Sequence, residues 1–172
     1  MTRIKLLLIG VLVIAFGSGC TVKSKEDEMS KVAQTAERAF EQDKMETTVD
    51  FNGFSLYLPN KFEVVEEGSS NFILQKGDQV YILFHNPLED SKSQVNLDTT
   101  IENSNYSLLK TFDAKDKFGY VLALPRNEDE FELQIGVGGV KLTTITSLHN
   151  LEKDAEVMMQ MANSLSYQSE VQ

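Results

Sequence analysis

The sequence predicts an α+β fold, an antiparallel β-sheet of about six to seven strands packed with N-terminal and C-terminal helices. Three observations predict it. Apolar residues recur at three- and four-residue steps near the two ends of the folded region, in Met29–Phe40 and Leu151–Leu165. Between those stretches the apolar period falls to two, in short runs closed by Gly, Pro, Asn and Asp. The connections between the runs are mostly tight polar turns, which suit antiparallel neighbours.

The first segment, MTRIKLLLIGVLVIAFGSGC, stands apart from that domain. Arg3 and Lys5 lead into an apolar run, Leu6–Phe16, followed by Gly17-Ser18-Gly19 and the only cysteine of the chain, Cys20. This order of charged, apolar and small segments is that of a secretory signal peptide. As a helix, Leu6–Phe16 would cover about 16 Å, roughly half the hydrocarbon core of a bilayer. A cysteine directly after the predicted cut resembles the lipobox of bacterial lipoproteins, which implies diacylglyceryl attachment at Cys20. Ser18 and Gly19 fit that pattern; Gly17 stands where the usual lipobox has Leu. Two alternatives stand beside lipidation: cleavage at the same bond by the ordinary signal peptidase, and an uncleaved anchor. Two acyl chains, at ~0.8 kcal/mol per buried CH₂, would hold the chain stably on a membrane.

Residues 20–23 read as a tether and residues 24–48 as an N-terminal helix. Ser24 is a suitable N-cap, and Glu26, Asp27 and Glu28 complement the helix dipole in the first turn. The stripe Met29, Val32, Ala33, Ala36, Ala39, Phe40 is rich in alanine, so the helix is expected to lie thinly on the sheet or to act as a spacer that frays near the tether.

The α+β domain is expected over residues 49–168. Phe54, Leu56 and Leu58 alternate with Ser55 and Tyr57 until Pro59-Asn60. Phe62–Glu66 and Asn71–Gln75 follow, then Gln79–His85. Its five consecutive apolar residues, Val80–Phe84, predict a central strand sheltered on both faces, with Ile82 in the core. Leu88–Asn105 is polar and aperiodic, a long loop with at most one weak helical turn. Tyr106–Thr111, Tyr120–Leu124, Glu130–Val137 and Val140–Thr146 complete the strands. In Glu130–Val137 the apolar Phe131, Leu133, Ile135 and Val137 alternate with Glu130, Glu132 and Gln134, which gives that strand one wet face. Leu151, Ala155, Met158, Ala162 and Leu165 form a helical stripe behind Asn150 as cap.

Residues 1–19 hold two of the 16 basic and none of the 26 acidic residues, which leaves the rest of the chain at −12. Such an excess argues against nucleic acid, which is bound by neutralising phosphates, and against flat adsorption on an anionic leaflet.

Chemistry-bearing constellations are few. His85 and His149 are far apart, so no metal set is assembled from them. Met158, Met159 and Met161 read as core filling, with Met158 squarely on the stripe. The acidic cluster Glu128-Asp129-Glu130, with Glu132, lacks the spacing and glycine of a calcium loop and reads as a solvated hairpin end. Gly136-Val137-Gly138-Gly139 is followed by a strand-like segment, so it reads as a hairpin turn rather than a phosphate loop. No nucleophile elbow and no Cys–His pair is readable, so no catalytic residue, cofactor or metal is implied.

The segment Phe54–Val64 (F-S-L-Y-L-P-N-K-F-E-V), the successive hairpins and the closing A-N-S-L of Ala162–Leu165 resemble the frame of the PsbP-like α/β sandwich over Phe51–Tyr167. The resemblance implies an accessory or binding module with no catalytic residues to carry over. The sequence therefore leads to a lipid-anchored, extracytoplasmic accessory or binding module of the bacterial cell membrane, with an envelope protein as partner. The alternatives are a small-molecule-binding lipoprotein with its pocket under Leu88–Asn105, and, further off, an envelope hydrolase.

Overall fold

The computed structural model describes residues 24–102 and 105–167. The first helix, α1 (Lys25–Glu41), starts at a capping box: Asp27 N–H donates to Ser24 Oγ at 3.1 Å, and Ser24 N–H to Asp27 Oδ2 at 3.3 Å. It ends at Glu41 and does not run on to residue 48 as the sequence reading had it. The chain turns extended at Gln42, and no apolar stripe continues beyond Phe40 to hold another turn.

The hairpin β1 (Val49–Phe51) and β2 (Phe54–Leu56) follows, turning at Gly53 with φ 92°. Next come β3 (Glu63–Glu67), β4 (Asn71–Lys76) and β5 (Gln79–His85), a short helix α2 (Val95–Ile101), then β6 (Leu108–Asp113), β7 (Phe118–Pro125), β8 (Glu130–Val137) and β9 (Val140–Ser147). The chain closes with α3 (Leu151–Ser164) and the two-residue strand β10 (Ser166–Tyr167), which pairs with β2. This is the α+β class: a seven-stranded antiparallel sheet of order β3-β4-β5-β9-β8-β7-β6, and a small sheet of order β1-β2-β10.

The order explains the layers. After β5 the chain leaves the middle of the sheet, crosses its outer face as α2, and resumes at the far edge as β6. Three hairpins then bring it back, so that β9 pairs with β5 (Tyr81 with Thr144, Leu83 with Leu142). The inner face is covered by α1, α3 and the small sheet. Phe51 and Phe54 pack on Phe72 with ring centroids 4.8 and 5.4 Å apart, and Phe62 on Tyr81 at 4.9 Å.

Three expectations meet the structure here, and two of them are corrected. First, α1 is no spacer: Met29, Val32, Ala36, Ala39 and Phe40 are all buried, and the small alanines let α1 lie directly on α3 and reach β6 and β7. Helix and sheet thus belong to one domain. Second, the three methionines fill the core as expected: α3 is enclosed on more than one side, so Met159 and Met161, off the stripe, are as fully buried as Met158. Third, the run Val80–Phe84 is not sheltered on both faces. Tyr81 and Leu83 are buried, while Val80 and Ile82 are 48% and 43% exposed. The strand closed in on both faces is β7, whose Phe118–Ala123 is buried throughout.

Asn150 occupies the N-cap position of α3 but makes no side-chain cap bond. The first turn is held instead by buried Asp154. Its carboxylate accepts from Tyr81 Oη at 3.2 Å, Gln79 Nε2 at 3.0 Å and Thr146 Oγ1 at 2.5 Å. This ties the helix to β5 and β9. Burial and the adjacent carboxylate push the Tyr81 hydroxyl well above the usual tyrosine range.

Candidate functional site

The outer face of the large sheet is the surface that the fold leaves half finished. Over β6, β7 and β8 it is covered: Leu97 of α2 packs on Phe118, Tyr120 and Leu122, with Ile101, Leu109 and Leu124 around them. The covering segment is fastened at several points. Asn96 Nδ2 donates to Gly138 O at 3.2 Å, Phe118 N–H to Ser91 O at 2.8 Å, and Lys92 Nζ pairs with Asp113. The turn Gly138-Gly139 fits beneath this strap. Gly138 has φ 53°, and a Cβ there would stand 2.5 Å from Asp90 O. So residues 88–102 form a fastened strap carrying a two-turn helix. The space under it, where a pocket was expected, is filled by the Leu97 cluster.

Beyond α2 the same face is open across β9, β5 and β4. Registers place Ile73 beside Ile82, Ile82 beside Thr143, and Ile145 beside Glu132. Val80 and Ile145 flank the pair Tyr81–Thr144 on the outer side. Ile145 is 45% exposed, and Val65, set out by the irregular register between Val64 and Glu66, is 58% exposed. Val65, Ile73, Val80, Ile82 and Ile145 therefore form an apolar strip over four adjacent strands.

Where strip and strap meet lies a shallow groove of about 260 Å³, lined among others by Asn71, Phe84, Gln134, Lys141 and Thr143. Lys141 Nζ sits over the Phe84 ring, 5.9 Å from its centroid. Burial lowers the Lys141 ammonium below the ordinary lysine range, and Glu132 partly offsets this. Gln134, wet by the sequence reading, is buried; it donates to Glu132 Oε1 at 2.8 Å and receives Thr100 Oγ1 at 3.4 Å. Nearby, Tyr120 lies over Gly136, and its buried hydroxyl has no hydrogen-bond partner among the described residues. Burial raises its pKa far above the usual value.

A second groove, about 500 Å³, lies at the other end of α1 between Lys44, Lys117, Asn163 and the Gly139 turn. Its polar atoms already have work. Lys117 Nζ donates to Phe40 O and, at 2.7 Å, to Asn163 Oδ1, while Asn163 Nδ2 donates to Phe40 O at 3.3 Å. Together they close the C-terminus of α1, where cations and donors are favoured. Burial lowers the Lys117 pKa; Asp116 and Glu41 act against this and Lys44 with it.

The other residues singled out from the sequence are dispersed. Cys20, with the whole of residues 1–19 and the tether, lies outside the described residues. His85 is buried at the end of β5 against Phe54, ring centroids 4.3 Å apart, and burial lowers its pKa; His149 is exposed at the start of α3. Glu128 and Asp129 lie at the exposed β7–β8 turn, where Asn127 Oδ1 accepts from the backbone N–H of Asp129 and Glu130. Among the described residues no group of three His, Asp or Glu is arranged to hold a metal, and no helix is long and apolar enough to cross a membrane. The open strip is what sequence reading missed. Its signal was available in Ile145, apolar but set among the outward positions of its strand.

No protein-family model matches the chain, and no curated protein matches it significantly. Among solved structures it is similar to the solution structure of cyanobacterial PsbP (CyanoP) from Synechocystis sp. PCC 6803, with TM-score 0.45 and 10% identity, over 72% of this chain and 92% of that one. A crystal structure from Bacteroides thetaiotaomicron VPI-5482 is similar over 76% of this chain and 51% of that one, with TM-score 0.37 and 10% identity. The first belongs to the family whose frame Phe54–Val64 and Ala162–Leu165 resemble. Neither match carries an activity to this chain, and the architecture stands on its own strand registers.

Proposed function

We propose that this chain is a lipid-anchored accessory module of the bacterial cell envelope, attached through Cys20 at the extracytoplasmic face and binding a protein partner without chemistry of its own. The observation that carries the binding half is the contrast between a filled core and a half-open sheet face. Leu83 and Leu142 beneath the sheet are fully buried, yet Val80, Ile82 and Ile145 stand nearly half exposed on the other side. Contiguous exposed apolar residues rimmed by polar ones mark interaction sites. The anchoring half rests on Gly17-Ser18-Gly19-Cys20 and on the lone thiol at the first position after the predicted cut.

Two experiments test the halves separately. Metabolic labelling with a fatty-acid analogue should mark the wild type and leave Cys20→Ser unlabelled; equal labelling would end the lipid reading. A photocrosslinking residue at Ile82 should capture one discrete product in intact cells, whereas the same residue at exposed Gln34 on α1 should not. Equal, diffuse crosslinking at both positions would end the docking reading.

A further inference from the structure

We infer that the surface seated on the open strip is cationic, with apolar side chains beside lysines or arginines; this deepens the docking reading and rests on it. Neighbouring strands lie ~4.8 Å apart, so the strip from Ile145 on β9 to Val65 on β3 is about 15 Å wide. Its two sides differ in charge. On the β8 side Glu132 adjoins Ile145, but that carboxylate is already engaged by Arg126 at 3.4 Å and Gln134 at 2.8 Å, and Lys141 is close enough to feel its charge. On the β3 side Glu63, Glu66 and Glu67 are all exposed: Glu63 and Glu66 share the face of the strip, as register partners of Gln75 and Ile73, while Glu67 pairs with buried Phe72 and adds its charge from the other side of the edge. None of these three enters an ion pair among the described residues.

The uncompensated charge at the strip is therefore negative and lies along β3. The chain beyond residue 19 carries −12, so a second copy or an anionic leaflet would bring like charge against the same edge. A cationic partner gains instead. Rim carboxylates stay hydrated, so they set approach rate and orientation, while the isoleucines and valines lose water.

The probes are two short, end-blocked peptides with the same Leu-Val-Leu centre, one flanked by lysines and the other by glutamates. Each is titrated into the full chain in nonionic detergent, with backbone amide shifts as the readout. The lysine peptide should move the amides around Ile73, Ile82 and Ile145 and bind at least about tenfold more tightly than its twin, with an advantage that shrinks as salt rises. In the variant Glu63→Gln/Glu66→Gln/Glu67→Gln, changed only at exposed positions, that advantage should fall to about twofold or less. Ile82→Asp should abolish the shifts with both peptides. Equal binding of the twins, or lysine-peptide shifts confined to the Glu128–Glu130 turn, would overturn the inference. If the Ile82 crosslinker still captures a discrete product in that case, the docking reading survives and only the cationic partner is lost.

Discussion

Ile82 and Leu83 are neighbours on β5, similar in size, and differ almost entirely in where the sheet points them. Leu83 is fully buried above α3 and the small sheet; Ile82 is 43% exposed on the open face. Truncating a fully buried leucine removes its transfer free energy and leaves a cavity, at a typical cost of about 2–5 kcal/mol. Burying an isoleucine side chain fully gives about 1.5–3 kcal/mol. Ile82 realises only part of that, and solvent fills the space it vacates, so Ile82→Ala should cost about 1 kcal/mol. With a urea slope of about 2 kcal/mol per M, Leu83→Ala should lower the unfolding midpoint by about 1–2.5 M and Ile82→Ala by about 0.5 M. Urea unfolding followed by circular dichroism measures both. Equal midpoints, or a larger loss for Ile82, would refute the assignment of the open face. The same Ile82→Ala should weaken capture of a partner although the fold is intact.

Asp154→Ala would strand the Tyr81 and Thr146 hydroxyls in a buried site and leave the half-buried Gln79 amide to its contacts with Thr144 and Ile145; it should cost about 3 kcal/mol in the same unfolding assay, and a change under about 1 kcal/mol would show that the network does not hold α3. His85 has its pKa lowered by burial, so the unfolded chain binds the proton more readily. Its contribution should be complete above the ordinary value of 6.5 and drain away as pH falls from there toward the folded-state pKa. His85→Gln should flatten that part of the stability profile, and a wild-type-minus-variant difference constant from about pH 7.5 to about pH 5 would disprove it. Gly136→Ala would place a Cβ 2.1 Å from Tyr120 Cε1 and should cost at least about 1–3 kcal/mol, whereas Tyr120→Phe, which removes an unpartnered buried hydroxyl, should be neutral or stabilising by about 1 kcal/mol.

What could be read ahead of the structure was local. The Ser24 cap and the stripe Leu151–Leu165 depend on residues close in the chain and lie where the pattern puts them, whereas in Phe131–Val137 only the inward half of the alternation holds, since Gln134 and Gly136 on the other face are buried rather than wet. The misreadings share a different cause. Whether Val80 and Ile82 are sheltered depends on whether the strap of residues 88–102 reaches over β5, and it stops over β6, β7 and β8. Nothing within Val80–Phe84 encodes that. Against a sheet alone the alanines of α1 are weak anchors. Against another helix the same small side chains permit close approach, and α1 packs along α3. Leu97 and Ile101, four apart, were a genuine helical signal, but α2 is too short for periodicity to speak clearly. Ser166–Tyr167 pairs with β2, more than a hundred residues earlier, and no local pattern announces such a partner.

The docking of α1 also fixes the geometry that follows if Cys20 carries an anchor. As a spacer, a 17-residue helix would have lifted the domain by about 25 Å. Packed on α3 it lifts nothing, and the only reach left is the stretch from Thr21 to Ser24, at most about 14 Å fully extended. The pole of the domain at the N-terminus of α1 must then sit beside the leaflet. That pole is identifiable: Lys25 lies over Phe131 at the start of β8, and Glu28 shares a groove with Asp129 and His149. It is also densely acidic, with Glu26, Asp27 and Glu28 on α1 and Glu128, Asp129 and Glu130 at the adjoining turn. An anionic leaflet repels such a surface, so the short tether and the charge oppose one another and keep the domain upright rather than flat. Ile145 pairs with Glu132, one register step from Phe131, which sets the lower end of the open strip near this same pole. A partner able to reach it is most simply one that is itself at the membrane, with a basic, partly apolar surface just above the headgroups.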